Sequence, residues 1–183
     1  MNLPNILTVS RIVLIPVFVI AYYLPFSWNY KACAIVFTVA AGTDWFDGYL
    51  ARKWNQTTPF GAFLDPVADK LMVAIALAVV IENYQSVWIT VPSMIIIGRE
   101  LVVSALREWM AERGKRDNVQ VSWMGKLKTA CQMWAILLLL LGSLEAWLFW
   151  SGIILMYLAS GLTLWSMYQY LTASWVYLFA DEK

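Results

Sequence analysis

Apolar residues run along this chain in long blocks separated by short polar clusters, and the block length is the first thing it predicts. A helix needs about 20 residues to cross the hydrocarbon core of a bilayer. Blocks suited to that length occupy 9–24, 30–54, 60–81, 87–110, 121–141 and 146–175. Pro16 sits inside the first, where neighbouring helices can satisfy the carbonyl that a proline frees. Ahead of it, Asn2-Leu3-Pro4-Asn5-Ile6-Leu7-Thr8 reads as a short interfacial lead-in. The sixth block is long enough to tilt or protrude.

Composition sharpens this pattern. Of the 183 residues 61% are hydrophobic, and the mean hydropathy is +0.64. A soluble domain of that size has no use for so much apolar surface. The expectation is an all-α, polytopic membrane protein with six transmembrane helices, forming a single domain over 1–183. The first block does not resemble a cleaved signal: Arg11 is the only early basic residue, and the block ends in Ala21-Tyr22-Tyr23 rather than a small-x-small site. It reads as a retained span.

Net charge is +1 and carries no information about partners, but its distribution does. Arg11, Arg52, Lys53, Arg107, Arg113, Lys115, Arg116, Lys126, Lys128 and Lys183 gather at the termini and in the second and fourth connections. The connections near Glu82 and Glu145 hold no Lys or Arg, and the first holds only Lys31. The positive-inside rule therefore places both termini at the cytoplasmic face. Cys33 and Cys131 lie in apolar runs and read as packing residues, with no disulfide or zinc framework. Gly142, Gly152 and Gly161 read as close helix contacts. Histidine is absent, so a proton acceptor must be sought among Asp, Glu, Lys, Tyr or Cys.

The chemistry-bearing stretch is 44–69. Asp44 and Asp47 end the second block, followed by Gly48, Ala51 and Arg52; Gly61, Asp65 and Asp69 open the third. On helices, Asp44 and Asp47 share a face with Gly48 and Ala51, while Asp65 and Asp69 share a stripe with Gly61. A carboxylate between apolar runs is expensive unless paired or bound to a cation. Two helix ends of this kind can face each other as an oxygen-rich cage, which selects hard cations such as Mg²⁺ or Mn²⁺. The spacing alone is also compatible with an ion or proton pathway, or with a helix clamp through Arg52 and Lys70.

Written out, the stretch is D-x2-D-G-x2-A-R-x8-G-x3-D-x3-D with every fixed position filled. This resembles the signature of the CDP-alcohol phosphotransferases, membrane enzymes that move a phosphoalcohol group from a CDP carrier. The opening Asn2–Arg11, the run Gly98-Arg99-Glu100 and the run Gly125-Lys126-Leu127-Lys128-Thr129-Ala130-Cys131-Gln132 resemble the branch whose acceptor is sn-glycerol 3-phosphate. The resemblance implies transfer of a phosphatidyl group from CDP-diacylglycerol to that acceptor, with CMP released. It implies that Asp44, Asp47, Asp65 and Asp69 hold two Mg²⁺ or Mn²⁺ ions, and that Asp69 is the general base. Asn5, Thr8, Arg11, Gly48, Ala51, Arg52, Thr58 and Gly61 become candidates for the CDP-diacylglycerol site. A helix cap and a cytoplasmic anchor is the competing reading for Asn5, Thr8 and Arg11. Membrane lipid and a second copy of the chain are the further partners implied, in a bacterial inner membrane. No nucleic-acid partner is expected.

An acceptor with a phosphate brings about two negative charges, so its pocket needs cations near the carboxylates. Arg99, Arg107, Lys126 and Lys128 are the candidates. Lys126 and Lys128 lie about 200° apart on a helix, so at most one faces the bundle interior. Pairing of Arg99 with Glu100 or a motif aspartate is the alternative.

Overall fold

The computed structural model describes residues 3–54, 59–112 and 123–178. These form six helices and no strand: α1 Leu3–Tyr23, α2 Asn29–Trp54, α3 Pro59–Tyr84, α4 Val87–Glu112, α5 Trp123–Leu141 and α6 Ala146–Leu178. The all-α expectation is met, and each helix matches one apolar block of the sequence. One boundary differs. The lead-in before the first block is not a separate element, because α1 runs unbroken from Leu3. Pro4 falls in the first turn, where the missing N–H costs no hydrogen bond.

Length and apolarity single out two stretches able to cross a membrane among the described residues, Val87–Ala111 and Ala146–Thr172. Leu7–Tyr23 and Leu127–Leu141 are apolar but shorter. The aspartates and basic residues in α2 and α3 dilute those helices at one end.

The helices close a ring in the order α1, α2, α5, α6, α4, α3, and α3 also touches α2 and α5 across it. Consequently α3, which carries Asp65 and Asp69, meets four of its five neighbours. The buried centre is built from Phe18 of α1, Cys33 and Phe37 of α2, Ala76 and Leu77 of α3, Ile89 of α4, Ile136 and Leu139 of α5, and Met156 of α6. Outside, large apolar side chains face away from the bundle: Ile35, Phe63, Leu101 and Ile154 are all at least 60% exposed. Contiguous apolar surface of this kind suits lipid, not water.

At the end of the bundle away from the aspartates the connections are tight. Two residues join α3 to α4, and Gln85 takes a left-handed conformation (φ 45°) that stops α3. Gly142 and Gly152 sit where a Cβ would strike Phe149 Cα at 3.1 Å and Leu139 Cγ at 2.8 Å, so both are packing contacts. Gly161 has nothing within 4 Å of its would-be Cβ. That expectation is corrected within the chain: Gly161 lies on the exposed side of α6, and no described residue packs against it. Cys33 is buried and Cys131 partly so, and both are free thiols.

Candidate active site

Asp65 and Asp69 lie one turn apart in α3, with Pro66 between them. Gly61, one turn earlier, is buried. The helix α1 runs alongside and supplies two donors. Thr8 Oγ1 donates to Asp65 Oδ1 at 2.5 Å, and Arg11 Nη2 reaches the same oxygen at 3.3 Å. Thr8 and Arg11 are 1% and 2% exposed, whereas the Asp65 side chain is 46% exposed. The carboxylate is therefore fixed from the buried side and open on the other. Thr8 and Arg11 thus meet the motif itself, and Arg11 does not extend into solvent as an anchor would.

Asp69 stands between two small cavities. On one side Arg11, Ala40, Met72 and Met133 enclose about 10 Å³ with it. On the other, a space of about 50 Å³ is walled by Asp69, Lys70, Val73, Glu100, Thr129 and Gln132. This second cavity lies between α3 and Glu100 of α4 with Thr129 and Gln132 of α5.

Those basic residues form one cluster. Glu100 Oε1 accepts from Lys128 Nζ and from Arg99 Nη1 at 3.4 Å. Arg99 Nη2 donates to Ser166 Oγ at 2.7 Å. Tyr170, one turn further along α6, lies under both guanidiniums, 5.5 Å from Arg99 and 5.0 Å from Arg107. Its hydroxyl accepts from Arg107 Nη2 at 2.6 Å. Arg99 and Lys128 are buried at 7% and 3% exposure. Arg99 and Lys128 share the carboxylate of Glu100, while exposed Arg107 joins them only through Tyr170, so among the described contacts two buried cations meet one carboxylate. Buried positive charge without matching negative charge is costly, so such a cluster favours an anionic ligand.

The structure thus brings Arg99, Arg107 and Lys128 together. Lys128, near the start of α5, is buried against Glu100. Lys126 falls in the first turn of α5 and Asn5 in the first turn of α1; their side chains lie outside the described ones. Asp44, Asp47, Gly48, Ala51 and Arg52 fall in the last turns of α2, and their side chains likewise lie outside those described. Thr58 lies outside the described residues. Ser166 and Tyr170 had no sequence signal, being a serine and a tyrosine in an apolar helix.

Among the residues with described side chains, no three carboxylate, thiol or imidazole groups gather. Even so, the oxygen-only donors of Asp65 and Asp69, one of them half open and held by two hydrogen bonds, fit a hard divalent cation. The backbone of α2 ends four residues before α3 begins, which puts Asp44 and Asp47 at the same end of the bundle.

Apolar helices with Asp65 and Asp69 at one end, and buried Arg99 and Lys128 beside them, define the class as a helical membrane protein. The chain belongs to the CDP-alcohol phosphatidyltransferase family, whose profile matches residues 1–177. It is 57% identical to a protein of Yersinia pestis (strain Pestoides F) over 183 residues, covering 96% of each chain. It is likewise 57% identical to a protein of Escherichia coli (strain K12) over 173 residues, 94% of each chain. Both relatives bear the name CDP-diacylglycerol–glycerol-3-phosphate 3-phosphatidyltransferase.

Proposed function

We propose that the protein transfers a phosphatidyl group from CDP-diacylglycerol to sn-glycerol 3-phosphate, giving phosphatidylglycerophosphate and CMP. The identity to enzymes of that name across nearly the whole chain carries the reading. The buried cation surplus next to Asp69 is what an acceptor bearing its own phosphate requires.

In this reading Asp44, Asp47, Asp65 and Asp69 hold two Mg²⁺ or Mn²⁺ ions. When bound, such ions neutralise the diphosphate and stabilise the departing CMP. The protein groups do the rest. Thr8 and Arg11 keep the Asp65 carboxylate in one orientation, a preorganisation that spares rearrangement during reaction. Asn5, Arg52 and Thr58 serve as donors to the nucleotide and its phosphates, while Gly48, Ala51 and Gly61 leave space for it. Arg99, Arg107, Lys126 and Lys128 bind the acceptor phosphate. Asp69 takes the proton from the acceptor hydroxyl as its oxygen attacks phosphorus and the bond to CMP breaks. The six helices would span a bacterial inner membrane with the site toward the cytoplasm, and the chain would act as a homodimer.

The test is CMP release from CDP-diacylglycerol by the purified protein, with acceptors added singly. Release is expected with glycerol 3-phosphate and not with serine or inositol phosphate. Release driven by one of those instead would reassign the acceptor, and no release with any would sink the transferase reading.

A further inference from the structure

The geometry points to Gln132 as a specificity-determining residue that accepts a hydrogen bond from the non-reacting, central hydroxyl of the acceptor. This inference rests on the glycerol 3-phosphate reading and deepens it. Gln132 is 3% exposed, and its Oε1 has no hydrogen-bond partner among the described residues. A buried acceptor left unpaired is rare in a folded protein, because it has given up water for nothing. Here that oxygen belongs to a residue lining the cavity of about 50 Å³ shared with Asp69, Glu100 and Thr129. One water needs about 10–15 Å³, so the space takes more than a single solvent molecule.

The groups in that cavity's wall, and the cations bonded to Glu100 behind it, can be matched to the groups along the acceptor. Glycerol 3-phosphate carries a dianionic phosphate at one end, an unhindered primary hydroxyl at the other, and a secondary hydroxyl between them. Lys128 and Arg99, both bonded to Glu100 in the wall, suit the phosphate; Asp69, on α3, suits the primary hydroxyl that reacts. Gln132 lies one turn beyond Lys128 on α5 and faces the space between. Of the two carboxylates in the wall, Asp69 is assigned to the reacting hydroxyl and Glu100 already takes hydrogen bonds from Lys128 and Arg99. A neutral amide is also the right chemistry here. A further carboxylate beside Asp69 and Glu100 would repel the dianion that the cations attract.

The experiment compares glycerol 3-phosphate with 3-hydroxypropyl phosphate, which lacks only the central hydroxyl, using full-length protein and CMP release. The wild type is expected to prefer glycerol 3-phosphate in kcat/KM by about tenfold or more, since a site that pairs with a hydroxyl discriminates against its absence. Gln132→Leu is expected to bring the two acceptors within about twofold by losing efficiency on glycerol 3-phosphate alone, with the KM for CDP-diacylglycerol unmoved. Gln132→Asn, which keeps the amide but withdraws it by one methylene, should shift the ratio the same way and serves if the leucine variant does not fold. An unchanged ratio in either folded variant, or an equal loss on both acceptors, overturns the assignment. If the wild type releases no CMP with either phosphate acceptor, the functional reading fails first and takes this inference with it.

Discussion

Where α3 begins, buried side chains meet through charge; where α3 stops, buried side chains meet mainly through shape. At the first end Thr8 and Arg11 converge on Asp65, and Arg99, Lys128 and Glu100 tie α4 to α5, with Ser166 and Tyr170 adding α6. At the other end one exposed carboxylate, Glu82, accepts from the Tyr23 hydroxyl at 2.6 Å, and the buried contacts include a Tyr84 hydroxyl on the Leu139 carbonyl at 2.8 Å, the Tyr84–Phe149 ring pair and two glycines pressed against their neighbours. The charged end is the expensive one, since ionised groups amid apolar helices need partners that a leucine would not. Its retention makes sense as chemistry, whereas the other end makes sense as stability. Substitutions at the first end should damage turnover, and those at the second should damage folding.

The largest effect that would break this contrast lies at Asp69. Asp69→Asn is expected to lower kcat by about 10²–10⁴-fold, because the amide cannot accept the acceptor's proton. Equilibrium binding of CDP-diacylglycerol should survive. Chelation should likewise abolish CMP release, with Mg²⁺ or Mn²⁺ restoring it and Zn²⁺ serving poorly. Transfer near the wild-type rate in Asp69→Asn would move the base elsewhere. Full activity of demonstrably metal-free protein would remove the ion cage.

Next in size come the cations. Arg99→Gln and Lys128→Gln are each expected to raise the KM for glycerol 3-phosphate about 10–100-fold, the value of one lost charge-assisted contact. The KM for CDP-diacylglycerol should move far less. Arg107→Gln should give only a few-fold rise, because Arg107 is exposed and water screens it. Equal damage to both substrates would mean that the Glu100 cluster is a structural clamp.

The sequence carried the helix count and the acidic motif clearly, because both rest on local periodicity and spacing. Asp65 and Asp69 one turn apart, and small Gly61 a turn before them, follow from 3.6 residues per turn alone. What could not be read was pairing between distant helices. Arg11 bears the marks of a topology-setting cation, yet it lies 54 positions from the Asp65 it holds. Ser166 and Tyr170 sit among apolar neighbours in α6, and only the closure of the ring brings them to Arg99 and Arg107. The placement of Lys128 likewise waited on the rotation of α5: periodicity said that at most one of Lys126 and Lys128 faces inward, and the fold puts Lys128 against Glu100. Gly161 shows the converse error, since a small residue in an apolar helix signals packing only where another helix faces it.

The smallest effect separates the ends most cleanly, because it compares two glycines of one helix. A Cβ on Gly152 would fall 2.8 Å from Leu139 Cγ and 3.2 Å from the Leu139 backbone nitrogen. Leu139 is fully buried and has nowhere to retreat. Gly152→Ala must therefore push α5 from α6, and overpacking of this kind costs about 1–3 kcal/mol. That exceeds the roughly 1 kcal/mol that alanine gains over glycine in a helix interior. Gly161→Ala gains the same helix propensity and meets nothing within 4 Å. In thermal unfolding of the purified protein, Gly152→Ala should lower Tm and Gly161→Ala should leave it level or raise it. Both should keep the KM for each substrate within about twofold, since a change in packing here leaves the phosphate contacts intact. A shift of the same sign in the two variants would mean that shape does not govern this end. A change in acceptor KM from Gly152→Ala alone would mean that the two ends are coupled.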